Sequence, residues 1–88
     1  MSQVVHHPQK HCFTIDLEGQ LAKLDYRFLD DKTVEFTSTH VPFNLRGKGY
    51  GAELVKAGLS WARLQDYQVQ SRCWYVDRFL EEKAVTLN

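Results

Sequence analysis

The segment Arg46-Gly47-Lys48-Gly49-Tyr50-Gly51 packs three glycines and two cations into six residues. Glycine turns the chain tightly and lets a bulky anion approach the backbone. An amphipathic helical pattern follows, so the amides that open it lack intrahelical acceptors, and its dipole adds positive potential. Arg46 and Lys48 bring charge suited to phosphate oxygens. The physical reading is a cradle for a pyrophosphate. The plainer reading is that Gly47 and Gly49 supply only turn conformations and a helix start.

Two side chains qualify as reactive groups. Cys73 closes one predicted strand and opens a predicted helix, a setting that lowers a thiol pKa and raises the thiolate fraction. The competing reading is a small buried apolar residue. Strict alternation places His40 on the strand face of Val34, Phe36 and Ser38, and an imidazole there can take a proton near neutral pH. The competing reading is a strand-end hydrogen bond. Cys12, Tyr75 and Trp61 read as structural.

Three motifs compete for the glycine-rich segment. A P-loop requires Ser or Thr after Gly-Lys, and Gly49 follows Lys48. The dinucleotide fingerprint G-x-G-x-x-A is met formally by Gly47, Gly49 and Ala52. That fold needs a run of parallel βαβ units, however, and the pattern here offers one. The third motif, [RQ]-x-x-G-x-[GA], is met by Arg46, Gly49 and Gly51, and it expects a strand before and an amphipathic helix after.

The elements around the segment satisfy that context. From Cys12 to Leu17 apolar residues alternate with polar ones, as in a half-buried strand. Glu18-Gly19-Gln20 turns the chain. Ala22, Leu24, Tyr26 and Phe28 then mark a second strand, and Asp30-Asp31-Lys32 turns into a third from Thr33 to Val41, ended by Pro42. A helix runs to about Gln65 on a stripe of Leu54, Val55, Gly58, Trp61 and Ala62. A fourth strand is expected over Gln68 to Cys73, and a second helix through Val76, Phe79, Leu80, Lys83 and Ala84. The order is β-β-β-α-β-α: an α+β fold with a mixed, mostly antiparallel sheet and one parallel, right-handed crossover.

The run from Val41 to Gly51, V-P-F-N-L-R-G-K-G-Y-G, resembles the V-P-x-x-x-[RK]-G-x-G-x-[GA] segment of minimal, single-domain GNAT-like N-acetyltransferases. Cys73-Trp74-Tyr75-Val76 is similar to their later C-[WSP]-[YF]-[VIA] block. The Leu54, Val55 and Ala57 stripe and the Phe13–Gly19 hairpin also fit, so the similarity covers about Phe13 to Leu80. The resemblance implies a splayed GNAT sheet holding acetyl-CoA as co-substrate, with Val41, Arg46, Gly47, Lys48, Gly49, Tyr50, Gly51 and Ala52 contacting it. It also implies that Cys73 is the reactive group, accepting an acetyl group or protonating the departing thiolate. The late A-x-x-x-Y-x-x-x-G-F pattern of larger relatives is absent, and so is a His-Pro-containing tail. Where the subfamily reads H-T-x-V, this chain reads Ser38-Thr39-His40-Val41. The histidine is displaced by two residues, which makes His40 the candidate base.

Composition narrows the partners. Residues 1–88 suit a single domain, and a 43% hydrophobic content supports a core. Eleven basic residues balance eleven acidic ones, which leaves no basic footprint for nucleic acid or an anionic membrane. No apolar run reaches membrane-helix length, and the N-terminal stretch has no signal-like apolar region. Two widely separated cysteines point to reduced thiols in a cytoplasmic protein, and their spacing gives no metal site. Two readings remain: an N-acetyltransferase acting on an unidentified primary amine, carried by a small molecule or a protein, and a non-catalytic acyl-CoA-binding or protein-interaction module.

Overall fold

The computed structural model describes residues 3–73 and 75–78. The chain opens with a strand absent from the sequence reading. β1 (Val5–His7) pairs antiparallel with β2 (Cys12–Leu17), Val5 opposite Thr14 and His7 opposite Cys12. Its side chains hold it there. The His6 ring stacks on Phe13 at 4.1 Å, and its Nε2 lies 2.7 Å from the Tyr26 hydroxyl. On the opposite face, His7 Nε2 lies 2.9 Å from Thr14 Oγ1. Three residues, two of them histidine, carry too short a pattern for alternation to reveal.

The meander follows as expected, with a longer middle strand: β3 (Gln20–Asp30) and β4 (Thr33–His40). Glu18 and Gly19 both take positive φ, 53° and 83°, the two-residue turn that suits the twist of a hairpin. The Asp30 carboxylate accepts the Lys32 N–H at 2.8 Å, which sets the next turn. The helix α1 (Tyr50–Leu64) then crosses the sheet and returns the chain to β5 (Gln68–Ser71), parallel to β4. The sheet order is β1-β2-β3-β4-β5. The fourth predicted strand therefore ends at Ser71, before Cys73. Residues 75–78 are helical, where the second helix was expected to begin. Its Phe79, Leu80, Lys83 and Ala84 lie outside the described residues.

Alternation on β2, β3 and β4 sends Ile15, Ala22, Leu24, Val34 and Phe36 toward α1, whose Leu54 and Ala62 meet them, all with 0% exposure. Burying each larger side chain contributes about 1.5–3 kcal/mol. The helix lies close. A Cβ on Gly58 would sit 2.9 Å from both Leu24 Cδ2 and Phe36 Cε1, so only glycine lets α1 settle there.

Candidate active site

The parallel pairing of β4 with β5 ends at Phe36 opposite Ser71, with one further bond from Arg72 N–H to the Phe36 carbonyl at 2.9 Å. The next residue of β4 explains the separation. Across from β3, Tyr26 faces Phe36 but Asp25 faces Ser38, so Thr37 is an extra residue in a bulge. A bulge bends its strand and strengthens its twist. Beyond it the two strands diverge, and a cleft of about 540 Å³ opens between them.

The bulge also exchanges the faces of β4. Thr39 stands opposite the buried Leu24 and so points toward α1, and both Thr39 and Val41 line the cleft. Ser38 stands opposite Asp25, to which its hydroxyl donates at 3.0 Å, and His40 stands opposite Lys23. This corrects the expectation that His40 shares a face with Val34 and Phe36. His40 does share the face of Ser38, but that face turns away from the helix, and His40 is exposed and absent from the cleft lining.

One wall of the cleft is the glycine turn. Gly47 and Gly49 take φ of 80° and 88°, left-handed conformations that side chains disfavour, and Gly49 caps α1. Nothing lies within 4 Å of where a Cβ would stand at either glycine, so the backbone is open to an approaching group. Glu53 N–H is the first helix amide taken by a carbonyl, that of Gly49 at 3.0 Å, which leaves the amides of Tyr50, Gly51 and Ala52 directed out of the helix start. Arg46 is held over the turn. Its Nε donates to the Val41 carbonyl at 3.1 Å, and its guanidinium lies 5.7 Å from the Phe43 ring centre. Of the residues expected to contact acetyl-CoA, Val41, Arg46, Gly47, Gly49, Tyr50 and Gly51 line the cleft, and Lys48 and Ala52 do not.

The opposite wall carries Cys73. Its carbonyl accepts the Asp77 N–H at 3.0 Å, so it caps the helical turn at 75–78. Ser71 Oγ accepts the Cys73 N–H at 3.1 Å and donates to its carbonyl at 2.9 Å, which fixes the backbone. The sulfur lies 3.6 Å from Thr39 Oγ1. Burial pushes the thiol up, but the Val76 amide, the Thr39 hydroxyl and the amides of Tyr75 and Thr39 outweigh it, so the thiol lies below its ordinary value. Cys12 is buried on β2, and both cysteines are free thiols. Trp74, the second residue of the C-W-Y-V block, lies outside the described residues.

Three cleft residues, Thr39, Leu45 and Tyr75, escaped the sequence reading. Thr39 was missed because alternation turned it outward, although it retains the Thr of the H-T-x-V pattern. Tyr75, read as packing, lines the cleft beside Cys73. Among the described residues that line the cleft there is no carboxylate and no imidazole.

A mixed sheet splayed at a β4 bulge, with a glycine-capped helix start facing the opening, defines the fold class of the GNAT acetyltransferases. The chain belongs to the GCN5-related N-acetyl-transferase family, whose pattern matches residues 12–86. It is 32% identical to Protein NATD1 of Gallus gallus over 85 residues, covering 94% of this chain and 77% of that protein. Protein NATD1 of Xenopus tropicalis is 30% identical over 85 residues, with 94% and 78% covered. A GCN5-like protein from Staphylococcus aureus, solved in solution by NMR, superposes with a TM-score of 0.72 at 28% identity, covering 94% of this chain and 83% of its own.

Proposed function

We propose that the protein binds acetyl-CoA with its pyrophosphate on the Arg46–Ala52 turn and transfers the acetyl group to a primary amine through Cys73. One observation carries this reading: a single cleft joins the glycine turn to a thiol whose pKa is depressed. Acetyl-CoA supplies an activated thioester. Val41, Leu45 and Tyr50 give the cleft apolar walls, and Arg46, which lines it beside the glycines, would meet the phosphates.

The Cys73 thiolate attacks the thioester carbonyl carbon; a new S–C bond forms as the old one breaks, and CoA departs as its thiolate. The amine nitrogen then displaces the Cys73 sulfur, giving the amide and restoring the thiolate. The nitrogen's proton passes to the CoA thiolate or to water. This order suits a cleft whose described lining holds no carboxylate or imidazole base. Acceptors of the right chemistry are a small polyamine-like molecule or a protein lysine, and free thiols fit a cytoplasmic setting.

The same lack of a base favours a second reading, an acyl-CoA-binding module with a protein partner. Incubation with acetyl-CoA alone, followed by peptide mapping, separates the two. Release of about one CoA per protein, with one acetyl group on the Cys73 peptide and none in Cys73→Ala, is the expected result. Binding without thiol release, with or without a panel of primary amines, gives the second reading.

A further inference from the structure

Three glycines line the cleft turn, but they are glycine for different reasons. Gly47 and Gly49 have positive φ and open space around them. Gly51 has neither: its φ is not positive, and it is buried as the second residue of α1. Alanine is a better helix former there by about 1 kcal/mol, and the [RQ]-x-x-G-x-[GA] motif accepts it. The obstacle is Tyr75. A Cβ on Gly51 would stand 3.0 Å from its hydroxyl oxygen, 3.1 Å from Cζ and 3.2 Å from Cε2, all tighter than the 3.4–4 Å of ordinary contact. Two ring carbons and the hydroxyl oxygen fixed to the ring are involved, so relief requires the whole ring to shift by a few tenths of an ångström.

We propose that Tyr75 is a positioning residue: its ring, seated on the bare Cα of Gly51, fixes the turn that carries Cys73 against the first turn of α1. Tyr75 lies two residues after Cys73, in the turn whose amides face the sulfur. Displacing the ring therefore moves the Val76 and Tyr75 amides relative to the sulfur and the sulfur relative to Thr39. The titratable groups among the described lining residues are Arg46, Tyr50, Cys73 and Tyr75 itself. That the positioned thiol is a reaction centre rests on the function proposed above; the seating does not.

The test is the pH profile of Cys73 alkylation by iodoacetamide, with buried Cys12 as internal reference and thermal unfolding followed alongside. It uses wild type, Gly51→Ala, Tyr75→Phe, Tyr75→Leu and the Gly51→Ala/Tyr75→Leu pair. Gly51→Ala and Tyr75→Leu should each slow Cys73 labelling about fivefold near neutral pH and move the profile to higher pH. Tyr75→Phe, which keeps the ring, should stay near wild type. Adding Gly51→Ala to Tyr75→Leu should lose nothing more, because the new methyl meets no ring. Unchanged or faster labelling in either single variant, or a full second loss in the pair, overturns the proposal. If Gly51→Ala does not fold, equal profiles for wild type, Tyr75→Phe and Tyr75→Leu overturn it. Alkylation needs neither CoA nor amine, so the outcome stands whether or not acetyl transfer is found.

Discussion

The Thr39 hydroxyl oxygen lies 3.6 Å from the Cys73 sulfur, across the point where β4 and β5 separate. It is one of the groups that hold the thiol below its ordinary pKa. Thr39→Val keeps the shape and removes the donor, so the Cys73 labelling profile should move to higher pH, with labelling about threefold slower at neutral pH. Thr39→Ser should stay close to wild type. The measurement is pH-dependent alkylation resolved by peptide mapping, and identical profiles for all three proteins count against the contact.

CoA should bind at the glycine turn, with the largest amide shifts on Gly47, Gly49 and Gly51 in an NMR titration. Gly49→Val forces a β-branched residue to a φ of 88°. Strain of about 1–3 kcal/mol, or relaxation of the turn, should weaken CoA binding about ten- to a hundredfold. The β2–β3 amide spectrum should persist. Stronger shifts from NADH than from CoA would contradict the assignment.

His40→Ala should leave CoA release at the wild-type rate, because His40 is exposed on the face that turns away from α1. Ser38→His should gain nothing for the same reason. A marked loss in His40→Ala, measured with a primary-amine panel, would show that the strand face is not what governs access to the reaction.

Gly58→Ala should destabilise the protein by about 1–3 kcal/mol in chemical denaturation despite the better helix propensity, because its methyl would enter the Leu24 and Phe36 side chains. A stabilised variant would mean that α1 can rise from the sheet without penalty.

Burial, and secondarily the neighbouring His7, holds the His6 pKa below its ordinary 6.5. The fold prefers neutral His6, so its contribution is whole above 6.5 and is lost as pH falls through the lower folded value. Thermal stability should drop over that window, and His6→Phe should flatten the drop. Parallel curves for the two proteins would assign the effect elsewhere.

Most of the fold was readable because strands and helix state their periods plainly: β2 runs over the expected Cys12 to Leu17, although Cys12 and Thr14 are buried along with Phe13 and Ile15, and α1 buries the expected Leu54, Val55, Gly58 and Ala62. The glycine turn was readable for a different reason, since positive φ at Gly47 and Gly49 is a demand that composition announces. The facing of Thr39 and His40 was not. A bulge is defined by partners on another strand, here Asp25 and Tyr26, and nothing in Phe36-Thr37-Ser38-Thr39 marks it. β1 escaped for a related reason, because His6 is placed by Phe13 and Tyr26 rather than by its neighbours in sequence.

The extra residue at Thr37 separates two properties that a strand normally ties together. Counting it out restores plain alternation from Phe36 to Ser38 to Thr39, so a chain one residue shorter here would still present Thr39 and Val41 inward. Such a chain would lose the bend that follows the last β4–β5 pair. The cavity is thus a matter of backbone arithmetic and its lining a matter of side-chain identity, so a single-residue deletion can close the one while leaving the other unaltered.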